Sequence, residues 1–181
     1  MHEARAALRA GTAADHKRLD DLFGGFRLDD PRDYRAFLSA HAMALLTVEQ
    51  ALDAAGFADA LADWPQRRRA GAIAADLAAI GEPLPAPLPA PPLGTLAARW
   101  GAAYVVEGSR LGGALLARSV PEGLPKSYLG SVQPPGMWRK FLEKLDKALP
   151  LPQDIVDATE SARATFGLFE QAGLRVRGAT G

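Results

Sequence analysis

No cysteine occurs among the 181 residues. Disulfides, thiolate catalysis, iron–sulfur clusters and the usual zinc sites are thereby excluded. Neither sign of charge prevails, since 21 Lys and Arg balance 21 Asp and Glu. No nucleic acid and no anionic membrane is expected as a bulk partner, although local basic clusters such as Arg67-Arg68-Arg69 remain. No apolar run approaches the roughly 20 residues that a membrane helix needs. The start, Met1-His2-Glu3-Ala4-Arg5, lacks the apolar core of a signal peptide. Alternating strand patterns and internal repeats are also missing. These absences leave a soluble protein, expected in the cytoplasm.

What is present is helical. Apolar residues make up 48% of the chain, with alanine and leucine dominant. The pattern predicts one all-α domain over 1–181, a bundle of about six helices, with a flexible tail over 174–181. The first helix is expected over about Glu3 to Phe23, ended by Gly24-Gly25. The second starts after Asp30, a good N-cap, with Pro31 at its first position. Its buried side is read as Tyr34, Leu38, His41, Leu45, Val48 and Leu52, and Gly56 stops it. A third runs from about Pro65 to Ile80. The run from Pro83 to Pro92 holds six prolines and cannot be helical. It reads as a rigid extended crossing within the bundle; a ligand for an aromatic-lined peptide-binding domain is the alternative. The fourth helix covers about Thr95 to Arg118, the fifth about Gly136 to Leu149, and the sixth about Gln153 to Ala172. Residues 119–135 read as loop.

Two segments carry the chemistry. In the first, Leu8, Thr12, His16, Leu19 and Phe23 step by four or three and share one helical face. A lone histidine on such a face is ordinarily a satisfied core histidine. Against that, its neighbours four residues either way are Thr12 and Asp20, which could form a hydrogen-bonded second layer around a ligand. No other histidine or cysteine lies near enough to complete a zinc or di-iron site. A single imidazole suits haem, because the porphyrin supplies the other four nitrogens. A phosphotransfer histidine would need an exposed ring, and the apolar company of Leu8, Leu19 and Phe23 argues against it. His2 carries no role, and His41, between Leu38 and Leu45, reads as core.

In the second segment, three glycines fall in six residues, Gly108, Gly112 and Gly113. Each costs about 1 kcal/mol inside a helix relative to alanine, and together they invite a kink. Close helix packing is one explanation, and close approach of a ligand to the backbone is the other. Tyr104, Gly108, Leu111, Gly112 and Leu115 fall on one face, a surface suited to a planar ring. No strand or Gly-Lys-Ser/Thr precedes it as in a phosphate loop. Gly108-Ser109 lies within a helical pattern, so it is not a nucleophile elbow. No inward pair of carboxylates suggests a di-iron bundle. Arg110 is bulky for its place and is expected to point outward.

Taken together, Ala10-Gly11-Thr12 through His16 to Asp20, and Tyr104-Val105-Val106-Glu107-Gly108-Ser109-Arg110-Leu111-Gly112-Gly113, resemble the bacterial haem oxygenases. The nearest subtype carries Glu-Gly-Ser-x-Leu-Gly on the distal helix and includes enzymes that make biliverdin for bacteriophytochromes. The resemblance implies that haem is both cofactor and substrate, with His16 its proximal ligand. Gly108 and Gly112 would lie against the distal face. O2 and electrons from a ferredoxin or flavoprotein reductase would yield biliverdin, carbon monoxide and ferrous iron. The resemblance also implies that Arg9 and Tyr104 attend a propionate. Arg139 or Lys140, on the fifth helix, could serve the other side; each of the four could equally be a solvated surface group, and for Arg139 and Lys140 that is the favoured reading. Thr12, Ser109 and Leu111 complete the expected haem-binding set. Ser109 replaces the aspartate of animal members, so a different water arrangement is expected. A non-catalytic haem carrier and a purely structural bundle are the rival readings.

Overall fold

A computed structural model describes residues 3–131 and 133–180. His2 lies outside the described residues. Among them the regular elements are all helical, in the order α1 (Glu3–Gly11), α2 (Ala13–Phe23), α3 (Pro31–Ala54), α4 (Trp64–Arg67), α5 (Ala70–Ala79), α6 (Leu96–Gly108), α7 (Arg110–Leu116), α8 (Met137–Ala148) and α9 (Pro152–Thr180), with single 3-10 turns at Phe57–Asp59 and Ala117–Ser119. The all-α expectation holds, but three of the expected helices are each split in two.

α9 is the spine. It packs along α6 and α3, and α2 and α1 lie against it. α8 covers α1 and α6, and α5 lies on α3. The α6–α9 crossing is close because Gly101 has no side chain: a Cβ there would run into the Ala158 carbonyl. Ser161 Oγ donates to the Ala98 carbonyl at 2.7 Å across the same seam.

Local chemistry explains the ends. Asp30 caps α3, its carboxylate accepting from the N–H groups of Arg32 and Asp33, and Pro31 opens the helix. These backbone donors hold the Asp30 carboxyl below its usual range. Gly56 follows the end of α3 with φ 69°, a left-handed conformation that glycine adopts without strain. Thr95 caps α6 by accepting from Ala98 N–H. Residues 83–93 form no helix, as expected, and they are part of the domain: Leu88 is buried and its N–H donates to Thr47 Oγ1 on α3.

Four expectations need correction. The first helix breaks at Thr12, whose φ of −111° and ψ of 3° leave the helical region. Its hydroxyl, buried, donates to the Leu8 carbonyl at 2.7 Å. The third helix breaks at residues 68–69, where Glu49 captures the N–H groups of Arg69 and Ala70. The fourth breaks at Ser109, between α6 and α7. The flexible tail expected over 174–181 is helix as far as Thr180, since Val176 packs on the core and the Arg177 guanidinium lies 4.8 Å from the centre of the Phe26 ring. No helix among the described residues is long and apolar enough to cross a membrane.

Candidate functional site

The histidine wall is α2, which has no fully buried residue. His16 stands exposed on it, its side chain 64% accessible, contrary to the apolar setting its stripe suggested. Leu8 and Thr12 of that stripe belong to α1 and the break, and they are buried, whereas Leu19 and Phe23 are only partly so. The break turns α2 so that the stripe leaves the core at His16. His16 Nδ1 lies 2.9 Å from Asp20 Oδ2, which orients the ring and leaves Nε2 for a ligand. Thr12 plays no such part, because its hydroxyl is committed to Leu8.

The opposite wall is α6 and α7. The His16 ring meets Phe166 of α9 edge-on at 5.9 Å. Phe166 packs with Ala162 and Val105, and Leu19 and Tyr104 lean on that cluster, so the two walls are joined at this end. Burial raises the Tyr104 phenol, and the charge of the nearby Arg9 guanidinium opposes the rise. At the other end, Phe23, Phe26 and Leu28 face Leu116 and Ser119 across a cleft of about 450 Å³. That volume is within the range of ligand pockets. A larger depression of about 680 Å³ is lined by α9 alone, from Gly167 to Arg175, and is an open surface hollow.

The glycines of the upper wall differ. A Cβ at Gly112 would meet nothing within 4 Å, while one at Gly108 would meet only the Trp138 indole, at 3.5 Å. Gly113 faces inward instead, and a Cβ there would be 2.9 Å from the Leu129 carbonyl oxygen. Leu111, Leu115 and Leu116 are 60%, 67% and 40% exposed. Three exposed leucines beside a bare backbone form an unpartnered apolar surface of the kind that receives a ligand. One imidazole nitrogen and a backbone without side chains fit a haem, whose iron needs a single protein ligand and whose faces are flat. Among the described residues no cluster of three or more His, Cys, Asp or Glu could hold a metal ion by itself.

Behind the upper wall lies a charged layer that the sequence reading missed. Glu107 is buried and ion-paired with buried Arg67 at 2.6 Å, and Gln133 Nε2 donates to it at 2.6 Å. Arg110, expected to point outward, turns in: its side chain is 10% exposed and donates to the carbonyls of Arg67 and Ser131. It turns away from the Gly112 face because Glu107 and free carbonyls lie behind the helix. Ser109 likewise donates to the Val106 carbonyl at 2.8 Å. Asp76 accepts from the N–H groups of Ser127 and Tyr128 and so ties down the loop after α7. A signal for this layer did exist, since Glu49 sits four residues after Leu45 and three before Leu52, on a buried stripe where a carboxylate requires partners. His41 is the core histidine it was read to be. It stacks on Phe37 at 4.1 Å, shares a 2.8 Å hydrogen bond with the Tyr128 hydroxyl, and is pushed down to about 3 by burial, with the Arg69 charge adding to the effect. Arg139 and Lys140 lie exposed on α8, Arg139 3.7 Å from Glu143, and no contact joins either to His16 or Tyr104.

No family model matches the chain. A haem oxygenase from Xanthomonas campestris pv. campestris (strain 8004) is 35% identical over 130 residues, which are 64% of this chain and 78% of that protein. This chain belongs to the haem oxygenase family. The fold agrees with that membership. The haem oxygenase of Neisseria meningitidis, solved with nitric oxide and carbon monoxide bound, superposes with a TM-score of 0.77 at 23% identity, covering 97% of this chain and 92% of that one.

Proposed function

We propose that this haem oxygenase family member cleaves haem to biliverdin, carbon monoxide and ferrous iron, with His16 as the axial ligand. The observations that carry the reading are an exposed His16 with its Nδ1 on Asp20, and a helix, joined to α2 where Leu19 and Tyr104 meet one cluster, at whose Gly112 a Cβ would meet nothing within 4 Å. Bound haem supplies the iron that takes up O2 and the porphyrin carbon that is oxidised. Everything else falls to the chain. His16 Nε2 meets the iron, and Asp20 fixes the ring and raises its basicity as a ligand. Leu111, Leu115 and Phe23 exclude water from the ring faces and edge. Arg9 and Tyr104 receive a propionate, a charge-assisted contact. Arg139 and Lys140 remain available for the second propionate on the α8 side.

The upper wall offers no ready proton. Glu107 is tied to Arg67, the Ser109 hydroxyl is spent on a carbonyl, Arg110 faces away, and burial keeps the Tyr104 phenol protonated. None of these side chains would act as an acid toward a molecule bound against this face. The carrier reading is less well supported, because residues 104–116 include no His, Met, Cys or Lys as a second ligand, and their one tyrosine, Tyr104, is assigned here to a propionate. Electrons come from a ferredoxin or flavoprotein reductase, a cytoplasmic arrangement. The Glu107-Gly108-Ser109 motif supports a bacteriophytochrome as the acceptor of the biliverdin.

Titration with hemin, followed by ascorbate or a reductase in air, tests this. A stoichiometric Soret band that decays into the broad red absorption of biliverdin is expected. A stable Soret band would leave a carrier, and no Soret band would return His16 to a structural role.

A further inference from the structure

An interrupted helix leaves carbonyl groups without their usual partners. At the break between α6 and α7 one such group is the carbonyl of Val106, itself a buried residue. Two donors take it: Arg69 Nη2 at 2.6 Å and Ser109 Oγ at 2.8 Å. The same Nη2 reaches Ser109 Oγ at 2.5 Å, so the three groups close a triangle. The hydroxyl proton goes to the carbonyl, and the hydroxyl lone pair receives the guanidinium. Arg69 is 3% exposed and is itself held, its N–H donating to Glu49 at 2.8 Å and its guanidinium lying 4.8 Å from the centre of the Tyr128 ring. A buried guanidinium is costly unless its donors are used, and here they are used on the break.

We infer that Arg69 is a positioning residue for the distal face: by pinning the Val106 carbonyl and the Ser109 hydroxyl from behind, it locks the break between α6 and α7 and thereby sets where the Gly108–Gly112 backbone meets bound haem. The inference rests on the haem reading above. It also reassigns Ser109 from a haem contact to a member of this clamp.

The test uses Arg69→Lys, Ser109→Ala and the double variant in the full chain. Lysine keeps the charge but lacks the planar fork that serves two acceptors. Two readouts apply: amide hydrogen exchange over residues 107–113 without haem, and the rate of carbon monoxide release from the reduced haem complex. In Arg69→Lys, exchange at the break should rise about tenfold, as expected for a lost charged hydrogen bond in a local opening. Exchange in α3 and α9 should stay at parent rates, and carbon monoxide release should change severalfold. Ser109→Ala should move both readouts less, in the same direction. The double variant should add little to Arg69→Lys, because one triangle is broken once. Parent-like exchange at the break in Arg69→Lys, or a rise spread over the whole bundle, overturns the inference. So does a local rise with unchanged carbon monoxide release. A parent protein that takes up no haem overturns the haem reading, while the exchange data still judge the clamp on their own. If Arg69→Lys fails to fold, Ser109→Ala alone carries the same comparison.

Discussion

The two walls of the proposed haem site are built on opposite terms. The histidine wall, α2, is a regular helix with no fully buried residue, and its key side chain is held by one exposed aspartate. The glycine wall, α6–α7, is broken, and a buried layer of Arg67, Arg69, Arg110 and Glu107 supports it from behind. A ligand that bonds to iron needs one well-aimed nitrogen, which a helix surface can offer with little support. A bare backbone against a flat ring needs its position set by something other than its own side chains. The difference teaches that the precision of this site resides mainly in the wall with no reactive group.

That contrast is best broken at its extremes. His16→Ala should abolish the axial-ligand signature and turnover while leaving the fold and melting temperature at parent values, because the ring is exposed. An unchanged haem spectrum in this variant would rule out His16. Asp20→Ala should weaken haem affinity or activity by about tenfold, the usual effect of losing the partner of a ligating imidazole.

The adjacent glycines sharpen the comparison on the other wall. Gly113→Ala should destabilise the protein by about 1–3 kcal/mol, because its Cβ meets a backbone carbonyl that cannot step aside. Gly112→Ala should leave denaturant stability unchanged or raise it by about 0.5–1 kcal/mol, yet lower haem turnover; Gly112→Leu should block haem or oxygen access. Full turnover in Gly112→Leu would sink the distal-face assignment, and equal stability effects at both positions would remove the distinction between open and packed glycines.

A smaller effect comes from pH. His41 is held neutral, with its pKa pushed down to about 3 from an ordinary 6.5. Between these values the unfolded chain binds a proton that the folded one refuses, so stability falls as pH drops below about 6.5, by at most about 1.4 kcal/mol per unit. Glu49, raised by burial, acts in the opposite sense above its own ordinary range. Comparing chemical denaturation of the parent and His41→Leu from pH 7 to 4 isolates the histidine: the difference should shrink toward acid. A constant difference would mean that His41 titrates normally. Smallest of all, Arg9→Ala should loosen haem binding a fewfold, as for one partly exposed charged contact, or shift which biliverdin isomer forms. If chromatography of the products and the titration both match the parent, Arg9 is a surface charge.

Helix starts, the glycine stops and the helix-free 83–92 segment were legible in the residues themselves, because caps, proline and left-handed turns are local chemistry. So was the place of His41 among core aromatic rings. The breaks at Thr12 and at residues 68–69 were not, since each depends on an acceptor that only the folded chain brings up, such as Glu49 under Arg69 and Ala70. The inward turn of Arg110 escaped for the same reason. Its composition reads as surface, and only the buried Glu107 and the carbonyls of residues 67 and 131 make burial affordable.

By itself, then, the sequence determined an all-helical chain, the helix caps, a lone imidazole on one helix and a run of glycines on another, all properties of residue type and short spacing. Tertiary structure alone decided that His16 stands in the open, that Gly112 faces space while Gly113 faces a carbonyl, and that Arg69 grips the helix break. Those are long-range facts: they depend on which atoms distant segments bring within about 3 Å, the reach of a hydrogen bond, and no local pattern encodes that.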